Sequence, residues 1–330
     1  MSPSDSADKL LRLILESELE FSSEEVAGLA SMTVEDANRL WRALGFPDTS
    51  PGDVAYGQLD LDALLIVKAS LDSGILDEST ILRMTRALGS TMSRLADWQV
   101  ATLVDHVETQ VAAGPATSRL DSALGLAQTV GPTFERLILY AWRRHLAAAV
   151  DRVQALGAKD VELLAHTLTV GFADLVRFTA LSNGMDDARL AEMVERFEVE
   201  VTDLITSGGG RSIKTLGDAV LFVADDPETA TDIALKIVQQ IGPDPDLPDV
   251  RVGLATGSVI SRLGDVFGPP VNLAARLTSV ARSNRVITDK ETAALLGDDF
   301  VTRALPERPL RGFGNVEPVT VRRPRTFISR

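Results

Sequence analysis

The sequence contains no cysteine among its 330 residues, and this absence excludes disulfide bonds, cysteine-based zinc sites and thiol catalysis. Long hydrophobic runs are also absent, because no segment approaches the ~18 apolar residues of a membrane-spanning helix. The first residues, MSPSDSADKL, have neither the basic start nor the apolar stretch of a secretory signal peptide. We therefore expect a cytoplasmic protein without a transmembrane segment.

Positive charge is scarce as well. The chain has 33 lysines and arginines against 47 aspartates and glutamates, a net charge of -14. Most of the excess lies between Met1 and Gln110, where about 8 basic residues face about 19 acidic ones. A domain of this kind repels nucleic acids and anionic membranes, so we expect no nucleic-acid partner.

The residues that are present predict two domains. A hydrophobic fraction of 45% over 330 residues is typical of globular proteins of that size. Residues 1 to about 150 carry the apolar periodicity of helices, beginning with LLRLILESEL. Next, SSEEVAGLASMTVEDANRLWRALGFPD predicts two short helices, capped by Ser22 or Ser23 and by Thr33 with Asp36 as a capping box. The segment 77–114 fits one long helix or two.

This helical pattern resembles the helix-turn-helix unit of MerR-like regulators. The acidic charge makes DNA binding the less favoured alternative, so we expect residues 1–132 to be an all-helical regulatory domain that packs against a partner. An amphipathic segment at 133–158 has the position of a connecting helix and is a candidate for dimerisation. Apolar faces such as LDALLIVKASL leave a small apolar ligand as an alternative, although such faces usually form core.

From residue 159 onward, predicted strands and helices alternate. Their order, β-α-β-β-α-β with additions, predicts a ferredoxin-like α+β domain over residues 159–330. DVRVGLATGSVISRLGDVF predicts a hairpin, and the segment FVTRALPERPLRGFGNVEPVTVRR is expected to hold two final strands.

Asp174, in FADLVRFTALS, follows a buried strand and precedes a short helix. We expect the first N–H groups of that turn, from Leu175 to Thr179, to be unpaired. A carboxylate there can hold a hard metal ion, and free N–H groups can hold the phosphates that accompany it. An N-cap aspartate without further function is the alternative.

Asp218 lies in KTLGDAVLF, which predicts two strands around a Gly217-Asp218 turn. An aspartate in such a turn is usually turn chemistry. However, the first strand of a ferredoxin-like sheet lies beside this hairpin, so Asp174 and Asp218 can converge. Two carboxylates at one edge suit a two-metal site for phosphoryl chemistry. Lys214 would share a face with Asp218 if the strand is regular.

The segment GDVFGPPVNLAARL predicts a helix that starts at Pro269 and Pro270. Asn272 and Arg276 are four residues apart, so one helical face presents both. Arginine suits the recognition of phosphate oxygens, and an exposed polar stripe is the alternative.

Together these segments resemble the catalytic domain of the class III nucleotidyl cyclases. The resemblance runs from about Leu163 to Val321 and rests on FADLVRFTALS, KTLGDAVLF, RVGLATGSV, GDVFGPPVNLAAR and LRGFG, in the family order. It implies an adenylyl cyclase that converts ATP to 3′,5′-cyclic AMP and pyrophosphate. More weakly, the N-terminal half resembles the helical regulatory domain that precedes such cyclases in actinobacteria.

The resemblance also implies a role for each matching residue. Two Mg²⁺ or Mn²⁺ ions would be bound at each site, adenine would be read by a lysine and an aspartate, and an arginine would stabilise charge on the phosphate. The implied set consists of the metal ligands Asp174 and Asp218, the substrate-binding residues Phe178, Thr179, Lys214, Asp265 and Arg311, and the catalytic residues Asn272 and Arg276.

In this family the active site forms between two catalytic domains. The resemblance therefore implies a homodimer with two composite sites, in which one chain supplies the two metal ligands and its partner supplies Lys214 and the polar residues that follow it. Arg177 departs from the family pattern, because many relatives have glycine there. It would either point outward or add a triphosphate contact.

Two further hypotheses remain open. One is a catalytically weak nucleotide-sensing or interaction module on the same fold, which the full set of site residues argues against. The other is regulation by pH, since histidine titrates near neutrality and His145 falls inside the candidate connecting helix, with His166 just after it. Ordinary surface or core histidines are the alternative to the second hypothesis.

Overall fold

The computed structural model describes residues 3–112, 119–155, 165–262 and 264–324. The chain divides into two compact units, Met1–Arg152 and Val153–Arg330. Each unit is described by itself below. No helix in the described ranges is long and apolar enough to cross a membrane.

The first unit is helical, as the apolar periodicity predicts. Its elements are α1 (Pro3–Leu15), α2 (Ser23–Leu29), α3 (Val34–Leu44), α4 (Gln58–Asp72), α5 (Glu78–Ala112) and α6 (Arg119–Ala155). The segment that fitted one helix or two is a single helix, α5, as far as Ala112. The proposed connecting helix from Thr133 is the later part of α6, and its predicted end at 156–158 lies outside the described residues.

The predicted helix starts in this unit are largely confirmed. Ser22 caps α2 in a capping box, in which the Glu25 N–H donates to Ser22 Oγ (3.3 Å) and the Ser22 N–H donates to Glu25 Oε2 (2.8 Å). Thr33 caps α3 by accepting from the Asp36 N–H at 3.1 Å. The predicted reciprocal bond is wrong, because the shorter Asp36 side chain accepts from the Thr33 hydroxyl at 2.6 Å and not from its backbone.

The core of the first unit forms around Trp41. Its ring stacks on Tyr56 with centroids 5.4 Å apart. Val26, Leu40 and Leu64 are buried around this pair. In α4, Leu64 is buried while Leu65 and Ile66 stay exposed, so the apolar segment LDALLIVKASL is only partly used as core.

The second unit is built on a mixed sheet. Its elements are β1 (Ala165–Leu175), α7 (Phe178–Ser182), α8 (Asp187–Ser207), β2 (Arg211–Thr215), β3 (Ala219–Ala224), α9 (Pro227–Ile241), β4 (Val250–Arg262), β5 (Asp265–Phe267), α10 (Pro269–Val280), β6 (Arg285–Thr288), α11 (Lys290–Ala293), β7 (Val301–Ala304), β8 (Arg308–Leu310), β9 (Gly314–Val316) and β10 (Val319–Arg322).

The strand order is β2-β3-β1-β4-β6-β10-β7, with β5 paired to β4 and a separate β8-β9 hairpin. The part β2-β3-β1-β4 is antiparallel throughout, and α8 and α9 connect it in the predicted β-α-β-β-α-β order. The ferredoxin-like α+β fold is thus confirmed, as is the β4-β5 hairpin.

The expectation of two final strands is wrong, since the segment after Phe300 forms four. Two of them, β8 and β9, are three residues long and pair only with each other. Runs of three residues are too short to show a period of two, which is why the sequence pattern did not reveal them.

Both faces of the sheet are covered. On one face, residues of α8 and α9 such as Phe197 and Ile233 pack against Phe222 of β3. On the other face, Ala274 of α10 packs with Val170 of β1 and Leu221 of β3. Because β3 buries side chains on both faces, AVLFVA reads as a continuous apolar run and not as an alternating one.

Two glycines of RVGLATGSV let α10 lie directly on β4. A Cβ atom at Gly253 would lie 2.4 Å from the Thr278 nitrogen and 2.6 Å from the Ala274 carbonyl oxygen. At Gly257 it would lie 2.8 Å from Cγ of Pro270. The motif thus sets how closely the helix with Asn272 approaches the sheet.

We predict that Gly253→Ala destabilises the second unit by about 1–3 kcal/mol, because the added methyl group meets backbone atoms that cannot move cheaply. Urea-dependent hydrogen exchange of peptides from β4 measures this loss. Gly184→Ala is the matched control, since its Cβ atom would have no neighbour nearer than 3.7 Å. Equal stability of the two variants would contradict the packing argument.

Asp289 is a buried carboxylate at the end of β6, where only 4% of its surface is exposed. Burial raises the pKa of Asp289, an effect that its hydrogen bond with Thr292 opposes. A raised folded-state pKa means that ionising Asp289 costs folding free energy. Its contribution to stability is complete below the unfolded pKa of about 3.9 and is lost as the pH rises through the folded pKa.

We predict that Asp289→Asn gains stability relative to the wild type as the pH rises from about 4 toward 8, because asparagine has no proton to lose. Thermal unfolding of both proteins at several pH values measures the difference. A difference that stays constant over this range would show that Asp289 titrates alike in the folded and unfolded chains.

Candidate active site

Asp174 lies near the end of β1, and Asp218 lies in the turn that leads into the neighbouring strand β3. Asp174 is the second-last residue of β1 and pairs with Ala219, the first residue of β3. Asp218 directly precedes Ala219, and its carbonyl oxygen accepts from the Leu175 N–H at 3.0 Å. The tight turn between β2 and β3, with Gly217 at φ 69°, holds Asp218 in this place. The two predicted metal ligands are thus brought together.

A third residue, Arg251, completes this edge. It is the β4 partner of Asp174 in the strand register, and its guanidinium donates to Asp174 Oδ2 from Nε (2.8 Å) and Nη2 (2.6 Å). Its Nη1 donates to the carbonyl oxygen of Ser279 near the end of α10 (3.0 Å). The role of Arg251 could not be predicted from the sequence, because only the strand register puts it opposite Asp174.

The electrostatics of Asp174 reflect three effects. Burial raises the pKa of Asp174, hydrogen bonding and charge pairing with Arg251 lower it, and the charge of Asp218 raises it again. The net pKa is raised. The carboxylate therefore gains from positive charge nearby, which Arg251 supplies here and which a cation would supply more strongly.

The two carboxylates fit divalent cations of the Mg²⁺ type. Within the described residues no cluster of three or more His, Asp or Glu side chains could enclose a metal ion. Mg²⁺ is commonly held by one or two carboxylates together with substrate phosphates and water. Two aspartates are therefore enough ligands from the protein.

The turn after Asp174 differs in part from the expectation. The N–H groups of Leu175 and Val176 are not unpaired, because they donate to the carbonyl oxygens of Asp218 (3.0 Å) and Asp249 (2.7 Å). Phe178 and Thr179 begin α7, so their N–H groups precede the first intrahelical bond. The Phe178 side chain packs against the core, which leaves only its backbone for a ligand.

Lys214 and Asp265 form an ion pair, with Nζ 2.5 Å from Oδ2. Burial acts to raise the pKa of Asp265, but the bonds from Lys214 and from the Val266 N–H outweigh it and hold that pKa below its ordinary value. A register shift in β2 falls between Ser212 and Lys214. The irregular strand turns Lys214 toward Asp265, and no bond joins it to Asp218 in the described chain.

Asn272 and Arg276 lie on the exposed face of α10, while Ala274 and Leu277 are buried beneath them. Arg311 is exposed in the turn between β8 and β9. In the part of the chain that the structure describes, no hydrogen bond or ion pair joins Arg276 or Arg311 to Asp174 or Asp218. A single chain thus presents the metal-type carboxylates and this polar set separately.

Comparison with known proteins gives the family. The model of the adenylate and guanylate cyclase catalytic domain matches residues 164–322. An adenylate cyclase of Streptomyces coelicolor is 36% identical to this chain, over 94% of this chain and 88% of that protein. The chain belongs to the class III adenylyl cyclases.

Other cyclases align over the helical half as well. An adenylate cyclase of Glutamicibacter nicotianae is 36% identical over 95% of this chain and 81% of that protein. A pH-sensitive adenylate cyclase of Mycobacterium tuberculosis is 30% identical over 92% and 78%. Among solved structures, an adenylyl cyclase of P. aeruginosa aligns at 21% identity over 50% of this chain and 98% of that chain, with a TM-score of 0.45.

Proposed function

We propose that this adenylyl cyclase converts ATP to 3′,5′-cyclic AMP and pyrophosphate at two composite sites of a homodimer. The proposal rests on the proximity of Asp174, near the end of β1, to Asp218, which directly precedes β3, with Arg251 as the countercharge of Asp174. Two Mg²⁺ or Mn²⁺ ions at these carboxylates would activate the ribose 3′-hydroxyl and bind the triphosphate.

Arg251 would change partner when substrate arrives. Its guanidinium is held by Asp174, which would turn to bound cations. Phosphate oxygens are the natural replacement, because a guanidinium donates to them in the same forked geometry. Its bond to the Ser279 carbonyl would keep the arginine in place during the exchange.

Adenine recognition would fall to Lys214 and Asp265. Lysine donates hydrogen bonds and can meet the ring nitrogen N1, while a carboxylate accepts from the exocyclic amine. Their ion pair keeps Asp265 ionised and both groups oriented before the base arrives. This donor-acceptor pair favours adenine over guanine, which presents the opposite groups at these positions.

The remaining residues would serve the phosphates and the ribose. Asn272 would orient the ribose, and Arg276, on the same face of α10, would stabilise the charge that grows on the α-phosphate. Arg311 would contact the terminal phosphates. Among the described residues no hydrogen bond or ion pair joins these exposed groups to Asp174 or Asp218, so a second copy would have to bring them to the carboxylates.

An exposed apolar surface supports such a dimer. Ile260 and Phe267 are cross-strand partners in the β4-β5 hairpin, yet they are 51% and 50% exposed. They border a cleft of about 450 Å³ that Pro269 and Leu273 also line. We infer that the same hairpin of a second chain covers it, in an isologous interface of the kind most homodimers use.

The helical half would control how the two catalytic domains align. Support comes from α6, a helix of 37 residues that leads toward the catalytic half. A relative that aligns over both halves is named pH-sensitive, so pH is one candidate signal. A small apolar ligand near the exposed side chains of α4 is the other candidate.

We predict that Asp174→Ala abolishes cyclic AMP formation from ATP with Mn²⁺, because the site loses a cation ligand. Arg276→Ala should lower kcat by roughly 10²–10³ with much less change in KM, as loss of a transition-state donor does. Cyclic AMP is measured with ATP as the substrate, and cyclic GMP is measured in parallel with GTP. Full activity of Asp174→Ala would contradict the metal assignment, and an unchanged kcat would remove Arg276 from the mechanism.

Mixing these two variants tests the composite site. A heterodimer of Asp174→Ala and Arg276→Ala chains holds one site with both residues intact, so random mixing should restore about a quarter of wild-type activity. The matched control mixes Asp174→Ala with Asp218→Ala chains, which leave no intact site and should stay inactive. Failure of the first mixture, with heterodimers present, would exclude a shared site.

We also predict that Ile260→Glu converts the protein toward monomers and lowers its activity at least tenfold, because a buried carboxylate without a partner opposes association. Sedimentation velocity measures the mass, and cyclic AMP formation measures the activity. Leu295→Glu is the control, since Leu295 is equally exposed (55%) but lies beyond α11. A dimeric, active Ile260→Glu variant would move the interface elsewhere.

A further inference from the structure

Arg177 has a backbone conformation that its residue type disfavours. It caps α7 with φ 60° and ψ 25°, in the left-handed region. For residues other than glycine this region costs free energy, because Cβ approaches the following carbonyl oxygen. Glycine would remove the cost and leave intact the backbone bonds from Ala180 and Leu181 to the Arg177 carbonyl oxygen.

No contact within the described part of the chain compensates for this cost. The Arg177 side chain is exposed and forms neither a hydrogen bond nor an ion pair there. It contrasts with Arg251 at the same edge, whose guanidinium is occupied by Asp174 and the Ser279 carbonyl oxygen. The fold therefore gives no reason for a cation at position 177.

The position of Arg177 near Asp174 suggests a function for its positive charge. Arg177 is three residues from Asp174. The two residues between them, Leu175 and Val176, donate backbone hydrogen bonds to the carbonyl oxygens of Asp218 and Asp249. This turn is anchored at both of its residues, so the backbone at Arg177 stays within the ~11 Å that three residues can span from Asp174. A triphosphate bound there brings several negative charges next to two aspartates, so a free guanidinium would relieve the repulsion.

We propose that Arg177 binds the β- and γ-phosphates of the nucleotide held at Asp174 and Asp218 of its own chain, and then the pyrophosphate that leaves. The inference rests on the proposed function and adds a substrate-contacting residue to it. The guanidinium donates N–H bonds to phosphate oxygens that are present before and during the reaction. It thus contributes to binding more than to the chemical step.

The first test uses binding without turnover. Inorganic tripolyphosphate with Mn²⁺ should raise the unfolding temperature of the wild type clearly more than that of Arg177→Gly, because ligand binding stabilises the folded chain. Arg177→Lys should fall between them, since it keeps the charge but not the planar fork. Without tripolyphosphate, Arg177→Gly should be at least as stable as the wild type.

The second test is kinetic. Arg177→Gly should raise the KM for ATP roughly tenfold, with kcat within about threefold of the wild type, as loss of a ground-state phosphate contact predicts. The matched control is Arg303→Ala, which removes the same charge from the exposed edge strand β7, four strands from β1. Its KM and its tripolyphosphate shift should match those of the wild type.

Each outcome decides between the two claims. Suppose that the wild type makes cyclic AMP, and that Arg177→Gly has the same KM and the same tripolyphosphate shift as Arg303→Ala. This result would overturn the role of Arg177 and leave the proposed function standing. A wild type that makes no cyclic AMP would contradict the proposed function. In that case the tripolyphosphate shift alone decides on Arg177, and equal shifts of wild type and Arg177→Gly would overturn its role.

Discussion

The catalytic half must hold two half-buried carboxylates, Asp174 and Asp218, close together at the ends of the neighbouring strands β1 and β3. Asp174 and Asp218 repel each other, and burial makes the charge on Asp174 costly. Arg251 on the next strand, β4, offsets this cost by forming an ion pair with Asp174. The same guanidinium donates a hydrogen bond to the Ser279 carbonyl oxygen near the end of α10. The pairing of β1 with both β3 and β4 is what allows three charged residues, far apart in sequence, to share one edge.

The segments that define the family divide into packing and chemistry. The segment RVGLATGSV supplies the countercharge Arg251. The two glycines of this segment let α10 pack closely against β4. GDVFGPPVNLAARL supplies Asp265, held by Lys214 across the sheet, and an exposed pair, Asn272 and Arg276. One face of α10 is fixed by apolar contact, and the other face is exposed. This division explains how a mostly apolar helix carries two polar residues four positions apart.

A single chain leaves both apolar surface and polar groups of this region exposed. Ile260 and Phe267 border the segment that leads into α10, so an interface there would carry the polar face of α10 toward another molecule. Association and catalysis are then one event, and any signal that rotates the two catalytic domains would change both. In the regulation proposed above, the long helix α6 would be the element through which the helical half acts.

The sequence by itself determined the fold class, a serine N-cap at position 22 or 23, the helix start at Pro269, the Gly217-Asp218 turn and the family, because these depend on local periodicity, capping and the order of motifs. It predicted the site residues but not their partners. The ion pairs of Arg251 with Asp174 and of Lys214 with Asp265 depend on strand register and on an irregularity in β2, which no local pattern encodes. The bonded N–H groups after Asp174 were decided by the tertiary structure as well, since the carbonyl oxygens of Asp218 and Asp249 that accept from them are distant in sequence. The strands β8 and β9 pair locally and were missed for another reason, because three residues are too few to show a period of two.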